Sequence, residues 1–335
     1  MAGVRVSVVM AAFNAEAFLL HAYRSACAQT LPAAEIVVVD DASTDGTAAL
    51  AAQLAADDGR VRLLRAERNA GPGAARNLAM AAATGEWLAV MDCDDFMHPA
   101  RLETAMRVAA AHGADVVLDN AVLLDPAGFG TVAPVVPLDG EAEVLDLHGY
   151  LWRIMWARSH VGIGILKPVL RREWLLRSGV RYREHLRHGE DSFLMLDCLR
   201  GGARVVLSPA PTYFYTLAVS ARTKQRSPTS RTDKTGIDAQ IAELKAFRAR
   251  DGRDRTLRRA VGALEQSRCS ILLRRAVRGR NLRLLRSLPV LTVAQTVFLI
   301  ARERRLRARA RRRFGRRADL DAIVAGFREE GSQAG

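Results

Sequence analysis

The 335-residue chain has only four cysteines, Cys27, Cys93, Cys198 and Cys269, and they lie far apart. No CxxC pair and no zinc spacing occurs among them. That argues against a disulfide framework and a structural zinc site, and fits reduced thiols in a cytosolic protein. Long apolar runs are missing as well. The best candidate for a membrane span, Ser287 to Ala301, is uncharged for 15 residues. As a helix it would reach roughly 22 Å, short of the ~30 Å hydrocarbon core of a bilayer. A strand pattern begins at Val4, which speaks against a signal peptide. No histidine follows His188, and Arg heavily outnumbers Lys. A dinucleotide fingerprint, G-x-G-x-x-G, is absent too.

What remains is a chain with 49% hydrophobic and 26% charged residues, ordinary proportions for a folded globular protein. Its length suits one large domain with an appendage. The net charge of +14 is distributed unevenly. Residues 1–230 hold 23 Arg and Lys against 25 Asp and Glu, whereas residues 231–335 hold 27 against 11. A near-neutral body, 1–230, therefore precedes a cationic region, 231–335, suited to an anionic partner.

Val4 to Met10 reads as a buried strand, and Glu35 to Val39 as a second, β-branched one. Val61 to Leu64 and Trp87 to Met91 complete a set of four, with helical stretches between them. Short connections and regular alternation predict an α/β fold with an open, mostly parallel sheet flanked by helices. A helix over Pro99 to His112 and a strand over Ala114 to Leu118 precede a loop rich in Pro, Gly and Asp at residues 125–140. From Ile237 the pattern becomes helical, with Ile237, Ile241, Leu244 and Phe247 on one face, and Leu257, Val261 and Leu264 on another.

In open parallel sheets, ligands bind beyond the carboxyl ends of the strands. Two acidic clusters stand there. Asp92-Cys93-Asp94-Asp95 places carboxylates at i and i+2, where a continuing strand or a local turn can converge them on one cation. Hard divalent ions take such oxygen ligands together with substrate phosphates. The same run could also be a solvated turn or a helix cap. Asp40 and Asp41 end the second strand, where a cap for the next helix is one reading and a hydrogen bond to a base or ribose the other. Five polar residues between Asp40 and Asp45 exceed what a cap requires. Gly71-Pro72-Gly73-Ala74-Ala75-Arg76-Asn77 is a Gly-rich loop opening a helix, with Arg76 able to reach phosphates or base. Gly189-Glu190-Asp191 reads as an acid-rich helix start, or as a base placed near an attacking hydroxyl.

Four motifs in this order resemble those of family 2 glycosyltransferases of the GT-A fold. They are Ser7 to Met10 with Phe13-Asn14, Val39 to Thr47, Gly71 to Asn77, and Ala83 to Trp87 with Asp92 to Asp95. The likeness covers about residues 4–120, then resumes at Gly189-Glu190-Asp191 and around Tyr213-Phe214-Tyr215. The resemblance implies an inverting transfer from a nucleotide sugar, as a rule a UDP-sugar, to a hydroxyl acceptor. It assigns Asp41, supported by Asp40, to the uracil or ribose, with Arg76, Asp92 and Glu190 also on the substrate side. Asp94, supported by Asp92, becomes the ligand of Mn²⁺ or Mg²⁺, and Asp191 the general base. Many relatives supply a late His to the metal. Here phosphates and water would complete the shell, or Arg222 and Lys224 would neutralise charge instead.

The almost solid arginine of Arg302 to Arg317, beside apolar Val290 to Ile300, reads as a basic helical extension lying on an anionic membrane surface. That suits a cytoplasmic enzyme peripheral to the inner face of the plasma membrane, acting on a cell-envelope glycan or lipid-linked acceptor. Nucleic acid ranks lower, because no aromatic stacking platform accompanies the arginines. A rival reading is a catalytically inactive nucleotide-sugar-binding module docked at the membrane.

Overall fold

The computed structural model describes residues 3–124, 141–155, 163–216 and 234–251, with a few further positions up to residue 265. The loop at 125–140, Arg222 and Lys224, and the segments at 287–301 and 302–317 lie outside the described residues.

The first half alternates as the sequence predicts. It runs β1 (Val6–Ala12), α1 (Leu19–Cys27), β2 (Glu35–Asp40), α2 (Thr47–Asp57), β3 (Val61–Arg65), α3 (Pro72–Ala82) and β4 (Trp87–Asp92). Strand β1 pairs in parallel with β2 on one side and β4 on the other, and β3 adds in parallel to β2. Every residue of β2 and of β4 is buried, as expected for strands covered by helices on both faces.

The second half is mixed. A short β5 (Phe96–Met97) and α4 (Arg101–His112) lead into β6 (Val116–Leu124), followed by β7 (Glu143–Leu145), α5 (Leu147–Met155), β8 (Pro168–Arg171), α6 (Arg172–Ser178), α7 (Glu190–Arg200) and β9 (Val205–Thr216). Strand β8 is inserted antiparallel between β4 and β6, and β9 runs parallel to β6. The sheet order is β3-β2-β1-β4-β8-β6-β9-β5, with β7 on β9. The strand predicted over 114–118 begins later and runs to Leu124, because β9 gives it a long partner. Helix α8 (Lys234–Asp251) buries Ile241, Leu244 and Phe247. Leu244, Phe247, Leu257 and Val261 join the same apolar cluster as the sheet.

One buried acid secures the edge opposite the acidic clusters. Glu35 Oε1 accepts hydrogen bonds from Ser7 Oγ at 2.6 Å and from the Thr84 amide at 2.5 Å, and Arg62 lies 3.3 Å from Oε2. These contacts tie β1, β2, β3 and the turn before β4 together. Gly85 passes so close that a Cβ there would stand 2.8 Å from the Ser7 nitrogen and 2.9 Å from the Arg5 carbonyl, so only glycine fits. Burial alone would raise the Glu35 carboxyl, but the Ser7, Thr84 and Arg62 bonds outweigh it and bring the pKa from 4.5 down to about 2. A depressed carboxyl contributes stability above its unfolded pKa and loses it as pH falls through the folded one. Glu35→Gln is therefore expected to cost about 2–3 kcal/mol at pH 7. Urea unfolding should show that gap narrowing between pH 4.5 and pH 2.

Candidate active site

The parallel pairing sets the site. Ala12 lies opposite Asp40 and Ala11 opposite Asp92, so β2 and β4 end on either side of β1. At a strand spacing of about 4.8 Å, the two acidic clusters flank one crevice roughly 10 Å across. A cavity of about 470 Å³ opens there, within the range of small-molecule sites. Its wall includes Phe13, Asn14, Asp41, Gly71, Arg76, Asp92, Asp94, Arg187 and His188.

The excess of polar residues after Asp40 braces two loops. The Asn14 amide donates to Ser43 Oγ at 3.0 Å, and Asn14 Oδ1 accepts from the Thr44 amide at 2.8 Å. The Ala15 amide donates to Thr47 Oγ1 at 2.7 Å, and the Gly46 amide to Glu16 at 3.0 Å. Asn14 and Ala42 both adopt positive φ, 49° and 57°, which these bonds hold against the steric cost of a Cβ. Asp45 accepts from the Thr47 amide at 3.0 Å and so serves the start of α2.

The neighbouring acids Asp40 and Asp41 point apart, as successive residues at a strand end do. Asp41 faces the cavity, and its two oxygens accept the Ala70 and Gly71 amides, each at 2.8 Å. It thereby shapes the Gly-rich loop, where Gly71 takes φ 97° before Pro72 opens α3. Burial raises the Asp41 carboxyl above the ordinary range, although both amides and Arg187 oppose this. Asp40 is fully buried and does not line the cavity; it accepts the Ser43 amide at 3.2 Å and lies 3.6 Å from Arg65. Both contacts of Asp40 lie within the protein, one in its own loop and one to β3.

Beneath the cavity, four charges of alternating sign close a ring. Arg76 Nη2 meets Asp92 Oδ1 at 2.5 Å, and Asp92 Oδ2 meets Lys167 Nζ at 2.8 Å. Lys167 reaches Asp191 Oδ2 at 2.6 Å, and Asp191 Oδ1 returns to Arg76 Nη1 at 3.4 Å. Glu190 adds a bond to Arg76 at 2.7 Å, and the Tyr182 hydroxyl donates to Asp191 at 3.0 Å. All six residues are buried, and Arg76 also lies over the Tyr182 ring at 5.2 Å. Burial would raise the Asp92 carboxyl, but Arg76 and Lys167 hold it far below the usual carboxylate range. Burial would lower Lys167, but Asp191 and Asp92 raise it well above an ordinary lysine. Glu190 is raised, by burial first and by Asp191 second.

After Asp92 the chain leaves β4 in a turn, so Asp92, Asp94 and Asp95 bring carboxylate oxygens within 4.8 Å of one another. This all-oxygen set has the chemistry that Mg²⁺ or Mn²⁺ prefers. Its members differ. Asp95 accepts the Tyr213 hydroxyl and the Thr216 amide, both at 2.7 Å, and burial followed by Asp94 and Asp92 pushes its carboxyl well up. Asp92 already holds a cation on each oxygen. Asp94 lines the cavity wall. Tyr213 also accepts the Asp92 amide at 3.1 Å, and Arg101, fully buried on Asp119, lies 4.6 Å over its ring.

Of the residues singled out in the sequence, Asp41, Arg76, Asp92 and Asp94 line one cavity. Glu190 and Asp191 sit behind it, joined to it through Arg76. Lys167, Tyr182 and Arg187 carry no motif, and sequence reasoning passed over all three, while Tyr213 stood in the resemblance without a role. The signal available for Lys167 was its rarity, as one of only four lysines, in an otherwise apolar strand approach, Ile165-Leu166-Lys167-Pro168.

A family model described as glycosyl transferase family 2 matches residues 7–130. The chain is 38% identical over 254 residues to the succinoglycan biosynthesis protein ExoO of Rhizobium meliloti, covering 72% of this chain and 67% of that one. It is 38% identical over 204 residues to ExoU of the same organism, covering 59% and 58%. Among solved structures, S. aureus TarS 1-349 in complex with UDP-GlcNAc superposes with a TM-score of 0.58 at 21% identity, covering 82% of this chain and 73% of that chain, which shows a common fold. With the GT-A sheet and the ordered motifs in place, the chain belongs to glycosyltransferase family 2.

Proposed function

We propose that this glycosyltransferase moves a hexose-type unit from a UDP-sugar to a hydroxyl of a cell-envelope glycan or lipid-linked saccharide, with inversion. The observation that carries the reading is a single cavity with Asp41 and the Gly-rich loop on one wall, Asp92 and Asp94 on another, and Asp191 directly behind. The names of ExoO and ExoU, and the UDP-GlcNAc bound to TarS, support the acceptor class and the donor class respectively.

In this mechanism Asp41 accepts a hydrogen bond from the uracil or ribose while keeping the Gly-rich loop in place. Asp92, held ionised by its two cations, orients the ribose. Asp94 is the leading ligand for a divalent metal, and Asp92, its oxygens already committed, supports it. A divalent metal held by these carboxylates would supply Lewis-acid neutralisation of the leaving diphosphate. Asp191 takes the proton of the acceptor hydroxyl as that oxygen attacks the anomeric carbon opposite the diphosphate. The arginine-rich segment at 302–317 brings the enzyme to an anionic membrane surface at the cytoplasmic face.

A thermal-shift screen of UDP-sugars with and without Mn²⁺ tests the donor and the metal together. A true donor stabilises the fold by mass action, about 2.7 kcal/mol at a hundredfold excess over its Kd. Asp94→Asn is expected to abolish the Mn²⁺-dependent part of that stabilisation and leave the metal-free part. An Mn²⁺ response of unchanged size in the variant would remove Asp94 from the metal site.

A further inference from the structure

We propose that Lys167 is a positioning residue for the transfer step, setting the Asp191 carboxylate against the donor site without touching the substrate. The proposal rests on Asp191 being the base. Lys167 is 3% exposed and does not line the cavity, so its ammonium acts through protein groups. That ammonium stands 2.8 Å from Asp92 and 2.6 Å from Asp191, bridging the strand that forms the donor wall and the helix that carries the base.

The backbone on which Lys167 stands is held firmly. Its carbonyl accepts from the buried Arg101 guanidinium at 2.9 Å, and the next residues, Pro168 to Arg171, form β8 antiparallel to β4. The remaining Asp191 oxygen is fixed by Tyr182 and, more loosely, by Arg76. Asp191 therefore has little freedom while Lys167 is present, and Lys167 supplies its shortest contact. Stability is a poor reason for such an arrangement, since apolar replacements of buried ion pairs are often neutral or stabilising. A compact ammonium, unlike a planar guanidinium, offers donors in several directions and so suits two carboxylates arriving from different elements.

Lys167→Met keeps the length of the side chain and removes the charge. The test measures UDP release from the UDP-sugar that stabilises the protein best, with water as acceptor, alongside UDP binding by calorimetry in Mn²⁺. Lys167→Met is expected to slow release by about 100-fold, the cost of misplacing a reacting group by about 1 Å, with the Kd for UDP within about threefold of the parent. Lys167→Arg should recover the rate to within about tenfold, and it carries the same comparison should the Met variant not fold. In an Asp191→Asn background, Lys167→Met should cost less than about threefold more, because residues that act as a unit are not additive. Equal losses in both backgrounds, a rate within threefold of the parent, or a UDP affinity falling in step with the rate would each overturn the proposal. If Lys167→Met is silent while Asp191→Asn is impaired, the positioning role alone fails. If Asp191→Asn is fully active, the base assignment fails and takes the positioning role with it.

Discussion

Asp191→Asn is expected to lower the rate of sugar transfer by about 10²–10⁴-fold, the usual contribution of a positioned general base. The amide keeps the shape, its oxygen can still accept from Lys167, and its NH2 can donate to the Tyr182 hydroxyl, so the fold should survive. The loss should fall on kcat, with UDP affinity little changed, because Asp191 is not among the residues lining the cavity assigned to the donor. Radiolabelled transfer to acceptor, measured beside UDP calorimetry, separates the two quantities. Unimpaired kcat would eliminate Asp191 as the base, whatever its neighbours do.

Arg76→Met should produce the largest loss of stability. Arg76 is buried and faces Asp92, Glu190 and Asp191 at 2.5, 2.7 and 3.4 Å, so its removal takes the cation from Glu190 and leaves Asp92 and Asp191 to Lys167 among the described residues. Breaking a buried ion pair from one side costs about 3–5 kcal/mol. The loss should depend on pH, and its sign follows from Glu190. Its carboxyl is already raised, by burial first and by Asp191 second, while Arg76 pulls the other way. Without Arg76 it rises further, so the folded state holds a proton that the unfolded chain has released. An acid raised in the folded state costs stability as pH increases through its folded value and recovers it as pH falls toward the unfolded one, ~4.3. Urea unfolding of Arg76→Met should therefore show its largest deficit near pH 8 and a smaller one near pH 5. A deficit independent of pH would mean that packing, not charge, is what Arg76 supplies.

These two residues also mark how far the sequence could be read. Arg76 and Asp191 were legible because each stands in a motif: one in the first turn of a helix after a Gly-rich loop, the other after Gly189 at a helix start. The partners that define their chemistry were not. Lys167 and Tyr182 come from chain segments 91 and 106 residues beyond Arg76, and no local pattern records that they meet there. Asp40 and Asp41 differ in surroundings for a related reason. Two adjacent acids look equivalent in a sequence, yet a strand end turns them to opposite sides. The polar run after Asp40 was recognised as more than a cap, but its purpose, bracing the loop at Asn14, required knowing that β1 and β2 end side by side.

What the sequence determined by itself is the alternation of strands and helices and the placement of acids just past β2 and β4. Hydrophobic period and turn chemistry are local properties, and parallel strands with helical crossovers confine ligands to one end of the sheet. Only the tertiary structure decided which acids share the cavity and which charges neutralise them. Insertion of β8 antiparallel beside β4 delivers Lys167 between Asp92 and Asp191, and the start of α7 delivers Glu190 and Asp191 to Arg76. Long-range pairing of this kind depends on how buried surfaces fit together in three dimensions, so it leaves no periodic trace along the chain.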